Sequence, residues 1–215
     1  MAIKGLSIPV CGNYSYSSDT GKVTYEDPFI ADSAVEYGVS WTTGDDNPLY
    51  ADNKIKENDK GTFQSGELTL GTADLPQELS QKLLGTKTKE IQFGPTGTQI
   101  TAQEQTYDDD QKAPYLGFGI IEMHQIDDAD QFRAVFFPKV YFVIPEEAAT
   151  TKGESIEWQT KSITGQIMRS DEVDEDNKHP WMKDAWFKNE SDALEYLQWR
   201  CGKTYLEQDE GGEGS

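Results

Sequence analysis

Two histidines, two cysteines and an excess of carboxylates are the residues of this 215-residue chain that could do chemistry. Nucleophilic catalysis sets an imidazole beside a Ser or Cys, with a third group orienting the ring. His124 closes an apolar run ahead of Gln125 to Asp130, and His179 precedes Pro180 in a charged stretch. No triad signature surrounds either one. Both are expected in structural roles, His124 at a surface or strand edge. The acidic runs DEVDED (171 to 176), EQTYDDD (104 to 110) and Asp127, Asp128 and Asp130 offer the oxygens calcium prefers. None has the loop register with a central Gly and a distal Glu, so solvated loops and no metal or cofactor are expected. GPTGTQ (94 to 99) lacks the Gly-Lys-Ser/Thr ending of a phosphate loop, and neither it nor GFG (117 to 119) opens a helix. Glycoside cleavage needs two carboxyl groups at a set separation, and Glu154 with Glu157, or Glu146 with Glu147, could supply them. With 39 acidic residues such pairs arise by chance. The sequence reads as non-enzymatic.

The same acids limit the partners. Nineteen basic residues against 39 acidic ones leave a formal charge of −20, which repels phosphate backbones and anionic leaflets alike. Five Trp, ten Tyr and nine Phe give enough large apolar side chains for a core. MAIKGLSIPVCG has no apolar stretch of signal-peptide length, and no run approaches the roughly 18 residues of a spanning helix. Cys11 and Cys201 lie near opposite ends, which fits a reducing compartment and no disulfide framework.

Most of the chain has the period of strands. In AVEYGVSW, Val35, Tyr37, Val39 and Trp41 alternate with smaller or polar residues. YLGFGIIEM (115 to 123), ESIEWQTKSITGQIM (154 to 168), GKVTYED, GELTLG, KEIQF and TQITAQEQT add candidates. Seven to nine strands predict an antiparallel β-sandwich or barrel. Two helices accompany them. DLPQELSQKLLG has Asp74 as N-cap, leucines at 75, 79 and 83, and Gly85 as the stop. NESDALEYLQWRCG has Asn189 or Ser191 as cap, with Ala193, Leu194, Leu197 and Cys201 on one side. Residues 1–202 are expected to form one domain and 203–215 a flexible acidic tail. Residues 42–66 form a polar loop, unusually long for a compact domain, with Leu49 and Tyr50 as an isolated apolar pair. That pair suggests an arm that docks on a neighbour.

The most apolar stretch is RAVFFPKVYFVIP, Arg133 to Pro145. Ala134 and Phe136 share one face and Val135 and Phe137 the other; beyond Pro138, Val140, Phe142 and Ile144 oppose Tyr141 and Val143. Pro138 cannot donate to a ladder and marks a strand end, an edge or a bulge. Both faces are apolar, so a cover is needed on each. The sequence leaves the second cover open between the helix at 74–85 and another subunit.

PYLGFGIIEM followed by FRAVFFPKVYFVIPEEAATTKGESIEWQTKSITGQI resembles the major tail proteins of long non-contractile-tailed phages, the phi13-type tail tube family. NPLYADNK, GELTLG and DLPQELSQKLLG fall in that family's order, and the resemblance spans most of residues 1–170. WFKNESDALEYL is similar to its short C-terminal helix. The resemblance implies a tail-tube-like sandwich forming homo-hexameric rings that stack into a tube in the virion tail, assembled in the host cytoplasm. It further implies a tape measure protein inside the tube, tail tip and tail terminator proteins at its ends, and passage of DNA without binding or membrane contact. Leu49, Tyr50, Phe137, Tyr141 and Val143 are then the inferred inter-subunit contacts. The rival from another class is a carbohydrate-binding or glycoside-cleaving sandwich, stacking sugars on Trp158, Trp181, Trp186 or Trp199.

Overall fold

The computed structural model describes residues 2–31, 34–51, 54–59, 61–73, 75–126, 128–145 and 161–205, and for residues 2, 47, 49–51, 55, 56, 58 and 59 the backbone alone. The chain runs through β1 (Ala2–Ser17), β2 (Lys22–Ile30), β3 (Ala34–Thr43), β4 (Asn47–Ala51), β5 (Lys54–Asp59), β6 (Phe63–Thr72), α1 (Gln77–Leu84), β7 (Lys87–Phe93) and β8 (Ile100–Thr106). It continues through β9 (Leu116–Ile126), β10 (Ala129–Phe142), β11 (Lys161–Met168), β12 (Lys183–Phe187) and α2 (Glu190–Arg200). The predicted mainly β architecture is present, and its strands are antiparallel and arranged like a sandwich rather than a closed barrel.

One sheet in the order β2-β1-β9-β10-β11-β6-β3 carries the fold, with β12 paired to β10 off this path. β10 changes partner along its length. Phe132 to Phe136 face β12, whereas Lys139 to Phe142 face β11. The change falls at a bulge: Phe137 pairs with Phe118 but Val140 with Leu116, so three residues on β10 span two on β9. A proline lacking its donor is tolerated at such a point. The bulge also moves the inward set from odd to even positions, which puts Val135, Phe137, Val140 and Phe142 in one core. That core lies between the two arms of the curled sheet, with Phe118, Ile120, Leu68, Leu70, Ile163 and Ile167.

α1 closes this core with Leu83 and Leu84 and with Leu75 and Leu79 partly buried against it. Gly85 ends the helix at φ 68°, the left-handed stop its sequence predicts. Pro76 occupies the N-cap position; the expected cap Asp74 is outside the described residues.

The second face of β9 and β10 is covered neither by α1 nor by another chain, because α2 lies on it. Ala193, Leu197 and Cys201 pack with Val10, Ile121, Ala134 and Phe136 in a separate core. The helix sits unusually close. A Cβ at Gly119 would come within 2.6 Å of a Leu197 methyl, and one at Gly12 within 2.3 Å of the Cys201 carbonyl oxygen. Burial pushes the Cys201 thiol up to about 12 and raises that of Cys11 well above its usual value, with proximity to Cys201 a lesser cause. Both cysteines are inert packing groups at neutral pH.

Within 42–66, expected as a long loop, the described residues include two paired strands. β4 and β5 form an antiparallel hairpin that carries the β3–β6 pair onward, through Gly44 N–H to Thr62 O at 2.9 Å and Gly61 N–H to Asp46 Oδ1 at 3.1 Å. A second hairpin, β7–β8, follows α1, with Phe93 opposite Ile100 near its tip, both about half exposed.

Candidate self-assembly surfaces

Where β10 runs out of the sandwich it leaves an open cleft of about 900 Å³. Tyr115, Lys139, Tyr141, Val143, Ile144 and Arg169 are among the residues that line it. Tyr115, Val143 and Ile144 are exposed, whereas Phe142 between them turns into the core. The alternation after Pro138 turns Val140 and Phe142 inward and Tyr141, half-buried, and Val143 outward; Ile144, which shares the parity of Phe142, lies beyond the end of β10 and is exposed as well.

Lys139, at the bulge, organises the inner wall. Its ammonium lies 2.6 Å from Asp171 Oδ2 and 5.0 and 4.8 Å from the ring centres of Tyr14 and Tyr115. The Tyr14 hydroxyl donates to the same carboxylate at 2.7 Å and accepts from the Asp171 N–H at 3.0 Å. The hydrogen bond from Lys139 holds the Asp171 carboxyl below its usual range, with Tyr14 adding to the effect; burial lifts Tyr14 to about 12. Tyr115 meets Tyr141 edge to face at 6.0 Å. Three aromatic rings and one ion pair thus fix the cleft floor from four segments: β1, the residue before β9, β10 and the 170s loop. The sequence does not single out Lys139, because Tyr14 and Asp171 are 125 and 32 residues away.

Of the inferred contacts, Tyr141 and Val143 stand on this surface. Phe137 does not: it is fully buried between Phe118 and the β3 aromatics Tyr37 and Trp41, so a neighbour cannot reach it in this conformation. Its apolar neighbours on both sides gave no hint of which face the bulge would turn inward. Leu49 and Tyr50 lie on β4, with a register shift between them, and their side chains are outside the described residues.

A second cleft, of about 670 Å³, opens at the root of the arm. Phe63 forms its floor. Trp181 stacks flat on Phe63 at 4.7 Å, Trp41 meets it edge on at 5.8 Å, and Arg169 stands over it at 6.0 Å. Lys178 and His179 complete the wall, with His179 Nδ1 3.0 Å from the Ser170 carbonyl oxygen.

The chemistry-bearing residues are spread among structural networks. His124, expected at a surface or strand edge, is buried on β9 between β1 and β10, under Trp186 of β12. Its Nε2 lies 3.0 Å from Glu122 Oε2, Arg133 bridges Glu122 and Asp184, and Trp186 packs on the imidazole at 5.0 Å. In the DEVDED run Asp174 turns its carboxylate onto the N–H groups of Asp176 and Asn177 at 2.9 and 2.6 Å, and the bonds from Asn177 lower its pKa. The loop closes on its own backbone. Among the described residues no group of three or more His, Cys, Asp or Glu is placed to hold a metal, and no helix is long and apolar enough to cross a membrane. Glu146, Glu147, Glu154, Glu157 and Trp158 are outside the described residues.

No family model matches the chain, and no curated protein matches it.

Proposed function

We propose that this chain is a structural, non-catalytic subunit that self-assembles into stacked hexameric rings, forming the tail tube of a long non-contractile-tailed phage. The observation that carries the reading is the outward apolar set Tyr115, Tyr141, Val143 and Ile144, left at the end of a strand whose other faces are fully covered. A monomer gains nothing by holding such a surface open, whereas an interface core is built from aromatic and aliphatic anchors with few charges. Two hairpins outside the main sheet, β4–β5 and β7–β8, offer further contact elements, since a two-stranded ribbon is only marginally stable in water by itself. The charge fits a conduit: carboxylates on a lumen wall repel DNA phosphates and keep a passing duplex from sticking. The tape measure protein, the tail tip and the terminator proteins are the partners this reading requires.

Repulsion between subunits of charge −20 opposes assembly and is screened over about 8 Å at physiological ionic strength. Sedimentation velocity across a concentration and salt series tests the proposal. Growth into large particles as salt rises supports it, and a monomer at every concentration and salt overturns it.

The saccharide-binding reading draws on exposed indoles: Trp181, beside Trp41 in the arm-root cleft, and Trp186 and Trp199 elsewhere on the surface. Trp181 already spends one ring face on Phe63. Calorimetric titration with oligosaccharides would show heat from a monomer on that reading and none on ours.

A further inference from the structure

The arm-root cleft is chemically unlike the rest of this acidic molecule. Arg169, Lys178 and His179 line it with no carboxylate among its described lining residues, whereas the cleft beside Lys139 also holds Asp108 and Asp171. Arg169 and Lys178 form no ion pair among the described residues. The Arg169 guanidinium instead donates to neutral acceptors, the Thr62 hydroxyl at 3.3 Å and the Phe63 carbonyl. These two cations and His179 stand around two exposed indoles, Trp41 and Trp181, at 43% and 39% exposure. Unpaired cations beside aromatic faces fit a segment that combines an aromatic ring with carboxylates.

The chain itself presents such a segment. Tyr107, 49% exposed, is followed by Asp108, Asp109 and Asp110, all exposed. The turn is fixed in advance. Asp108 Oδ1 accepts from the Asp110 N–H at 3.2 Å, its carbonyl accepts from the Gln111 N–H at 3.0 Å, and Lys87 pairs with its Oδ2 at 2.7 Å. Asp109 and Asp110 enter no ion pair among the described residues, so two carboxylates beside an exposed tyrosine are left for a partner. Little ordering cost attends docking of a turn already held by its own bonds.

We propose that the arm-root cleft receives the Tyr107–Asp110 turn of a second copy of this chain, with Asp109 and Asp110 meeting Arg169 and Lys178 and Tyr107 packing among Trp41, Phe63 and Trp181. This deepens the self-assembly reading and rests on it for the presence of a second copy. In a subunit of charge −20, a local cation-to-carboxylate contact tells correctly docked neighbours from repelling ones. At contact distance in a partly buried cleft it is screened far less than the long-range repulsion.

Charge reversal on each side tests the contact. Lys178→Glu alone and Asp109→Lys with Asp110→Lys alone should each weaken association, read by sedimentation velocity, at least about tenfold. An equimolar mixture of the two should recover it, because the reversed cleft meets the reversed turn and the native cleft meets the native turn. Recovery also shows that both variants are folded. Association unchanged by either reversal, or a mixture as weak as its components, overturns the proposal. Tubes formed equally by wild type and both variants would refute this contact and leave the tube reading standing. Charge-dependent association without tubes would do the reverse, and no association under any condition would refute both.

Discussion

Truncating Leu197 to Ala measures how much of the fold depends on α2 as the cover of the β9–β10 outer face. Leu197 is fully buried, lies over Gly119 with a methyl 2.6 Å from where a Cβ would be, and anchors a core of seven buried residues. The variant loses three carbons from a site that cannot refill, since Gly119 has no side chain and its strand is fixed by ladders on both sides. Buried Leu→Ala changes of this kind cost about 3 to 4 kcal/mol. With a urea dependence of about 3 kcal/mol per molar for a domain of this size, the midpoint should fall by about 1 M. Far-UV circular dichroism against urea reads it, with Trp199→Ala, at a half-exposed position on the same helix, as the control shifting by less than about 0.2 M. If Leu197→Ala shifted no more than the control, α2 would not be the cover, and that face would be free for another subunit.

Gly12→Ala should separate the helix from the sheet by another route, because its Cβ would meet the Cys201 backbone rather than a movable side-chain end; a midpoint at least about 0.5 M lower in urea is expected. Tyr141→Asp with Val143→Asp should abolish growth into large particles and leave the unfolding midpoint within about 0.3 M of wild type, since both residues face the open cleft. Leu49→Asp with Tyr50→Asp should block tube growth and leave a folded monomer by size exclusion; normal tubes would remove the arm from the account. Asp171→Asn should destabilise the chain at pH 7 but not in strong acid. The native Asp171 carboxyl is held below the unfolded value of about 4, so its contribution is complete above that pH and fades as pH falls through the depressed native pKa. Urea midpoints of the two proteins should converge on acidification, and a gap that stayed constant would show that Lys139 and Tyr14 do not hold the carboxylate.

The sandwich is legible because YLGFGIIEM and RAVFFPKVYF are apolar on both faces; of the strand end, edge or bulge that Pro138 leaves open, the structure takes the bulge. The second cover was not assigned, because α2 presents a weak stripe. Ala193, Leu197 and Cys201 include small residues, and small residues are what a helix needs when it sits directly on Gly12 and Gly119. β1 is not legible in the sequence, as register shifts after Ile3 and Ser7 interrupt its period of two. The β4–β5 arm reads as a loop because NPLYADNKIKEND shows no sustained apolar alternation. The cleft floor was hidden for a different reason: Tyr14, Tyr115, Lys139 and Asp171 meet only after four separate segments fold together.

Electron cryomicroscopy of the concentrated wild-type protein tests the self-assembly claim most directly. The account predicts hollow tubes of uniform width whose end-on averages show six subunits around a lumen, with the Tyr141–Val143 cleft occupied by a neighbour. Monodisperse single subunits at every concentration and salt, or assemblies that leave that cleft facing solvent, would contradict it.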